Sequence, residues 1–114
     1  MAHADVVYLR HILDAIVRIE EYIQGISEEE FYRNYLIQDG VIRQLEIIGE
    51  ATKQISQNTR KDHNQIPWKD MAGMRDKLIH GYFGVDVEQV WLTAKSDIPF
   101  LQTEIEIVLR MLKV

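Results

Sequence analysis

Apolar residues recur at steps of three and four along most of this chain, and that spacing constrains its fold more than any other feature. The first stripe lies between Asp5 and Gln24 and consists of Leu9, Ile12, Ile16, Ile19 and Ile23. Such a stripe is typical of an amphipathic helix whose apolar face is buried. No segment alternates in the manner of a convincing strand. We therefore predict an all-α fold, an antiparallel bundle of four main helices with one or two short extra helices.

Capping residues predict where the first helix ends and the next element begins. Gly25 follows the first stripe and is expected to end that helix. Ser27 then offers an N-cap with Glu30 three residues later, which together form a capping box. A short turn of helix is therefore predicted through Phe31.

A second stripe predicts a long helix from Asn34 or Asp39 to Gln57. Its inward positions are Ile37, Val41, Leu45, Ile48, Thr52 and Ile55. Gly49 lies inside this helix, where glycine costs about 1 kcal/mol relative to alanine. We therefore expect another segment of backbone to approach closely at Gly49.

The polar stretch 58–65 is predicted to be a loop. Pro67 suits the first turn of a third helix, which is expected to end near His80 and Gly81. The residues predicted to point inward from this helix are Trp68, Met71 and Leu78.

The last helix is predicted to begin at Asp86, where Gln89 completes a capping box, and Pro99 must kink or divide it. One apolar face of this helix consists of Val90, Ala94, Ile98, Leu101, Ile105, Val108 and Leu112. A second apolar stripe on the same helix consists of Phe100, Ile107, Met111 and Val114. The second stripe gives more apolar surface than the edge of a monomeric bundle needs. It predicts a homodimer with the terminal helices near the interface. The alternative is a helix sunk deep in its own core.

Composition and charge narrow the class of protein. The 114 residues fit one domain, 1–114, that can fold without cross-links. The chain has no cysteine, which excludes a disulfide framework and a thiolate metal site. Its net charge of −5 disfavours non-specific binding of nucleic acid, so any RNA contact must rely on a local cluster. No apolar run approaches the ~20 residues of a membrane span, and the cytoplasm is the expected location.

One short segment gathers a guanidinium, an imidazole and a phenol, from Arg75, His80 and Tyr82. On an ideal helix the spacing of Arg75 and His80 places them roughly 140° apart. They share a site only if the helix unwinds before Gly81 or if two subunits meet across a two-fold axis. Either arrangement pairs a permanent cation with a group that titrates near neutrality, which is what RNA cleavage without a metal requires. The simpler alternative is a solvated helix face with His80 as a C-cap.

The segment from Met74 to Phe83 resembles the signature R-x4-H-x-Y of the HepT-like toxins in the HEPN superfamily. Three further segments resemble the family in the same order along the chain. They are 43–51 in its second helix, 66–68 at the entry to its third helix, and 90–91 with 98–99 in its last helix. The resemblance therefore covers nearly the whole chain.

The resemblance implies a helical bundle that dimerises so that both copies of the Arg/His motif line one cleft. Active members of this family are metal-independent ribonucleases that leave a cyclic phosphate, so neither a metal nor another cofactor is expected. Their partners are RNA and MntA, a small nucleotidyltransferase antitoxin encoded beside the toxin. The antitoxin silences the toxin by transferring AMP from ATP to the motif tyrosine, which is Tyr82 in this chain.

Carried over residue by residue, Arg75 binds the phosphate and stabilises the transition state, and His80 is the general base or acid. Tyr82 is the modification site. Position 76 is most often Asn in the family pattern and is Asp here. A carboxylate at this position would stabilise an imidazolium but repel the RNA backbone, so Asp76 is given a supporting role in orienting Arg75 or His80.

Other polar residues carry weaker signals. Glu46 and Glu50 share a helix face and suit acid/base or metal chemistry, but we favour a structural role in which Glu50 holds Arg75 by an ion pair between helices. His3, His11 and His63 are expected at the surface, and Trp68 and Trp91 in the core. The cations that could form a basic rim for RNA, or else a solvated face, are Lys53, Arg60, Lys61, Lys69 and Lys77.

Two other functions compete with a nuclease. The first is a non-catalytic subunit that docks onto a nucleotidyltransferase and helps to position its nucleotide, which the acidic balance and Asp76 favour. The second is a purely structural dimer, whose properties would not depend on the motif.

Overall fold

The computed structural model of the chain describes residues 2–78 and 84–112, and these residues are mostly helical. Eight α-helices lie in the described ranges: α1 (Ala2–Ile23), α2 (Glu28–Arg33), α3 (Tyr35–Lys53), α4 (Gln57–Asp62), α5 (Trp68–Ala72), α6 (Met74–Leu78), α7 (Val87–Leu92) and α8 (Ile98–Leu112). A π-helical turn, Thr93–Asp97, joins α7 to α8. The all-α prediction is confirmed. Among the described helices, none combines the length and the apolar character that a bilayer span requires.

The core lies between the three long helices, because α1 packs against both α3 and α8. Every residue of the first predicted stripe is buried on α1. The facing residues are Val41, Leu45 and Ile48 on α3 and Ile98, Leu101, Ile105 and Val108 on α8. The apolar periodicity therefore identified the buried face of each long helix.

The third predicted helix is not continuous, because Gly73 separates α5 from α6. The N–H of Gly73 donates to the carbonyl of Lys69 at 3.1 Å, and its own carbonyl accepts from the N–H of Lys77 at 3.0 Å. The three predicted inward residues are nevertheless buried: Trp68, Met71 and Leu78. Three long helices and this broken segment stand where four continuous helices were predicted, so the count of four main helices is not confirmed. The predicted end near His80 lies outside the described residues.

Gly49 is the site of a close approach between α3 and the end of α5, as predicted. A Cβ at this position would lie 3.3 Å from the carbonyl oxygen of Ala72 and 3.5 Å from that of Met71. A side chain here would push α5 away from α3, since backbone atoms cannot rotate aside. The absence of a side chain at Gly49 therefore sets the spacing between α3 and the segment that carries Arg75.

The prediction of a loop over 58–65 is wrong, because Gln57–Asp62 forms α4, and α3 ends at Lys53 before the predicted Gln57. Ser56 caps α4 by accepting from the N–H of Thr59 at 3.3 Å. Asp5 of α1 reinforces this cap: its carboxylate accepts from the N–H and hydroxyl of Ser56 at 2.9 and 2.6 Å, and from the hydroxyl of Thr59 at 2.6 Å. A distant carboxylate thus supports a helix that polar composition did not indicate.

Asp5 is expected to make the stability of the fold sensitive to acid. Burial by itself raises the pKa of Asp5, but hydrogen bonds from Ser56 and Thr59 outweigh burial and hold this pKa below its ordinary value. Its contribution to folding is therefore fully present above about pH 3.9, the ordinary pKa of an aspartate. The contribution is lost as the pH falls through the lower pKa of the folded state.

Replacement of Asp5 by Asn is expected to lower the free energy of unfolding at neutral pH by about 1–3 kcal/mol, because the cap of α4 loses its charged acceptor. The difference from the parent should shrink as the pH is lowered, which denaturant titrations at several pH values measure. Asp14→Asn is the matched control, since Asp14 is an exposed carboxylate on the same helix. If the free energies of unfolding of the parent and of Asp5→Asn differ by the same amount at every pH, the charged carboxylate of Asp5 does not stabilise the cap of α4.

The helix caps follow the sequence closely at Ser27 and only in part at Asp86. Ser27 Oγ accepts from the N–H of Glu30 at 3.1 Å, and Glu30 Oε1 accepts from the N–H of Ser27 at 3.2 Å, which completes the predicted capping box. Asp86 Oδ1 accepts from the N–H of Gln89 at 3.1 Å. The Gln89 amide, however, donates to Thr93 Oγ1 at 3.4 Å, so the second half of that box is absent.

Pro99 divides the last helix, as predicted. The π-helical turn Thr93–Asp97 precedes it, and α8 begins at Ile98. Proline has no N–H to donate, and its ring crowds the carbonyl four residues earlier, so a wider turn accommodates it. Of the second apolar stripe, Phe100 and Met111 are more than half exposed. These two residues are therefore not sunk in the chain's own core, whereas Ile107 is half-buried and Val114 lies outside the described residues. The homodimer stays a prediction.

Candidate functional site

Arg75 lies on the exposed side of α6, and its guanidinium reaches across to α3. Its Nε donates to Oε2 of Glu46 at 2.7 Å, with 54% of the arginine side chain and 28% of the glutamate side chain exposed. Its Nη1 lies 3.9 Å from Oδ1 of Asp76, whose side chain is 85% exposed. The guanidinium is thus anchored at Nε, and about half of the arginine side chain is open to solvent.

Buried neighbours hold α6 in place beneath this guanidinium. Met74 and Leu78 are one turn apart and both are buried, whereas the residues between them face solvent. The carbonyl of Leu78 accepts from the N–H of Asp86 at 3.0 Å, which ties the end of α6 to the cap of α7. Alternation of buried and exposed positions over one turn therefore fixes which way Arg75 points.

Glu46, not Glu50, is the partner of Arg75, so the predicted ion pair with Glu50 is wrong. Glu50 lies 3.5 Å from Nζ of Lys53 on its own helix and is 71% exposed. The difference follows from the direction of the chain, because the segment from Ala72 onward runs antiparallel to α3. Ala72 lies opposite Gly49, so that Arg75 comes level with the residue one turn earlier on α3.

Glu46 is the residue at this site whose role the sequence reasoning missed. Its position three residues before Gly49 was the available signal, because residues three apart share a helix face and Gly49 marked the face in contact with α5. Glu46 also lines a groove of about 530 Å³ between α1 and α3. The other residues that line this groove are Tyr8, His11, Arg43, Ile47, Glu50, Ala51 and Gln54.

His80 and Tyr82, the other two predicted functional residues, lie outside the described residues. Their distance from Arg75, and the predicted sharing of a cleft between two subunits, stay predictions. Asp76 is within 3.9 Å of Arg75, but both side chains are largely solvated at that contact. Ion pairs of this kind are weak, so the supporting role of Asp76 also stays a prediction.

The predictions for His11, Trp68 and Trp91 are confirmed and that for His63 is wrong, while the side chain of His3 lies outside the described part of the structure. Trp68 and Trp91 are buried, and the ring of Trp91 packs against Phe31 with centroids 5.1 Å apart. His63 is buried, not exposed, and its carbonyl accepts from the indole N–H of Trp68 at 3.0 Å. His63 follows α4, and the turn after this unexpected helix packs it inward. His11 is exposed, as predicted.

Arg60 does not belong to a basic rim. Its Nε donates to the carbonyl of Ile55 at 3.2 Å and its Nη2 to that of Thr52 at 2.7 Å, so the guanidinium satisfies one carbonyl in the last turn of α3 and one just beyond it. The exposed lysines of the proposed rim are Lys53, Lys61, Lys69 and Lys77. Arg75 differs from Arg60 in that its recorded partners are the side-chain carboxylates of Glu46 and Asp76.

Comparison with known proteins supplies the family. The model of the family described as "Ribonuclease HepT-like" matches residues 12–108. The chain is 50% identical over 105 residues to the "Probable ribonuclease HepT" of Thermococcus cleftensis, covering 92% of this chain and 94% of that protein. It is 43% identical over 103 residues to a "Putative RNase" of Caldanaerobacter subterraneus subsp. tengcongensis, covering 90% and 92% respectively.

A longer relative contains the same region as part of its chain. The Methanocaldococcus jannaschii protein named "Gamma-glutamylcyclotransferase and putative RNase" is 50% identical over 99 residues, which cover 87% of this chain and only 45% of that protein. No significant match to a solved structure was found. The family match, the high identity across most of the chain and the all-helical fold agree, and the chain belongs to the HepT-like ribonuclease family.

Proposed function

We propose that this chain is a metal-independent endoribonuclease that acts as a homodimer and leaves a cyclic phosphate. The observation that carries the proposal is the half-exposed side chain of Arg75, anchored by Glu46 in the segment that resembles the R-x4-H-x-Y signature. The family to which the chain belongs is described as ribonucleases. A buried arginine, or one paired to backbone carbonyls as Arg60 is, could not take up a phosphate. Arg75 has the exposure that this role requires.

In the proposed reaction, the 2′-oxygen of a ribose attacks the adjacent phosphorus and the bond to the 5′-oxygen breaks. His80 removes the proton from the 2′-hydroxyl or delivers one to the leaving 5′-oxygen, and the second subunit's copy of the motif supplies the complementary group. Arg75 binds the non-bridging oxygens and offsets the negative charge that grows on them in the transition state. The products are a 2′,3′-cyclic phosphate and a free 5′-hydroxyl.

The regulation we propose is that of a toxin–antitoxin pair in the cytoplasm. A small MntA-type nucleotidyltransferase transfers AMP to Tyr82: the phenolic oxygen attacks the α-phosphorus of ATP, pyrophosphate leaves, and the phenolic proton is released. The attached nucleotide then blocks the cleft by its bulk and by repulsion of the RNA backbone. Expression of the chain without this partner should therefore arrest growth.

Incubation of the purified protein with mixed RNA in excess EDTA tests the enzymatic part of the proposal. We expect cleavage that is unchanged by the chelator and fragments that carry cyclic phosphate ends, identified by mass spectrometry. Cleavage that stops on chelation and returns with a divalent cation would refute the metal-independent mechanism.

A second candidate function is that of a non-catalytic subunit bound to a nucleotidyltransferase. The net charge of −5 and the exposed carboxylate of Asp76 beside Arg75 favour it, because both disfavour RNA. Protein that is inert on every RNA yet forms a stable complex with the neighbouring nucleotidyltransferase would support this candidate over the nuclease.

A further inference from the structure

The contact between Glu46 and Arg75 uses one particular nitrogen of the guanidinium. Arginine can donate through Nε and through two terminal amino groups. Glu46 takes the Nε–H at 2.7 Å, and this hydrogen bond leaves both terminal amino groups to other acceptors. A carboxylate bound at Nε restricts rotation about the last bonds of the side chain and so fixes the plane of the guanidinium.

We infer that Glu46 is a positioning residue for RNA cleavage, which holds Arg75 by Nε so that its two terminal amino groups face the scissile phosphate. The inference rests on the proposed ribonuclease function and assigns a role to a residue outside the R-x4-H-x-Y segment. Pairing of two amino groups with two phosphate oxygens is a fork that arginine can form and lysine cannot. Such a fork depends on the orientation that Glu46 imposes.

The surroundings of Glu46 suit this role better than those of the other nearby carboxylates. Its side chain is 28% exposed, compared with 85% for Asp76 and 71% for Glu50, so its attraction for Arg75 is screened least by solvent. Glu46 also projects from the long helix α3, next to the buried Leu45. The close contact at Gly49, one turn away, sets the distance between α3 and the chain leading into α6.

The acceptor oxygen of Glu46 and its negative charge are expected to have separable effects. Glu46→Gln keeps an oxygen that can accept from Nε but removes a charge that repels RNA. We therefore expect its kcat to stay within about threefold of the parent, with KM equal or lower. Glu46→Ala removes the acceptor, and the misplaced guanidinium should lower kcat by about 10–100-fold with a much smaller change in KM.

The experiment measures kcat and KM for cleavage of one RNA by the full-length parent, Glu46→Ala, Glu46→Gln and the control Glu50→Ala. Glu50 lies one turn from Glu46 on the same helix and pairs with Lys53, so its removal should leave kcat unchanged, with KM equal or lower because a negative charge is lost. Thermal unfolding of each variant checks that all of them remain folded. A second readout needs no RNA: NMR follows the Nε–H of Arg75, identified by its loss in Arg75→Lys.

In the parent we expect the Arg75 Nε–H to exchange slowly with solvent, and to exchange faster in Glu46→Ala but not in Glu50→Ala. If the parent cleaves RNA, Arg75→Ala does not, and Glu46→Ala retains the parent's kcat, the positioning role is wrong while the proposed function stands. If the parent cleaves no RNA, the ribonuclease proposal fails and the positioning role fails with it. Equal loss of kcat in Glu46→Gln and Glu46→Ala would also overturn the role of the oxygen acceptor.

Discussion

Replacement of Arg75 by alanine is expected to lower kcat/KM for RNA cleavage by about 10³-fold or more, the range seen when a transition-state guanidinium is removed from a phosphoryl-transfer site. Arg75→Lys should recover little of this loss. A lysine places a single ammonium at the end of a flexible chain, and it cannot pair with Glu46 through Nε while presenting two amino groups to a phosphate. Gel assays of RNA cleavage at fixed ionic strength measure both variants.

The control for Arg75 is Lys77→Ala, which removes one positive charge from the same exposed side of α6. It should weaken RNA binding slightly and leave kcat close to that of the parent, so that loss of charge alone is separated from loss of the guanidinium. His80→Ala is expected to lower kcat by about 10²–10⁴-fold, because it removes the proton-transfer group. Full activity in both Arg75→Ala and His80→Ala would exclude the proposed mechanism.

Tyr82→Phe is expected to abolish silencing by the nucleotidyltransferase while leaving RNA cleavage in place. Phenylalanine keeps the ring but lacks the oxygen that attacks the α-phosphorus of ATP, so no AMP can be attached at this position. In the parent, preincubation with the nucleotidyltransferase and ATP should add the mass of one adenylyl group and stop cleavage. Intact-mass spectrometry and the RNA assay, run on the same samples, measure the two effects.

Tyr35→Phe is the matched control for this experiment, because Tyr35 is 74% exposed and lies at the start of α3. An exposed phenol elsewhere on the surface should not accept AMP, and Tyr35→Phe should be modified and silenced like the parent. The proposed regulation is wrong if Tyr82→Phe is silenced to the same extent, or if peptide mapping places the adenylyl group on another residue.

Local features of the sequence were enough to predict the long helices and several of their ends. The stripes on α1, α3 and α8 are buried as predicted except at Ile37 and Leu112, which are half-buried, since a helix with one apolar face has one way to hide it from water. Ser27 and Pro99 acted as predicted because a capping side chain and a missing N–H operate within a few residues. The resemblance of the Arg75 segment likewise agreed with the family to which the chain belongs.

Contacts between residues that are far apart in the sequence produced the differences between the predicted and the observed structure. Helix α4 appears in a polar stretch because Asp5 accepts three hydrogen bonds from Ser56 and Thr59 at its start. His63, which follows that helix, is buried, and its carbonyl accepts from the indole N–H of Trp68. No local pattern in residues 57–63 contains Asp5 or Trp68, so neither error could be avoided from that stretch alone.

The sequence by itself determined the all-helical class and the buried faces of the long helices, because each of these depends on residues that are near one another in the chain. The segment that carries the candidate chemistry stays a prediction from the sequence. Only the tertiary structure decided that Arg75 pairs with Glu46 and not with Glu50. Both glutamates lie on one face of α3, and periodicity cannot distinguish them. The choice depends on the level at which the chain after Gly73 crosses α3, which the contact of Ala72 with Gly49 sets.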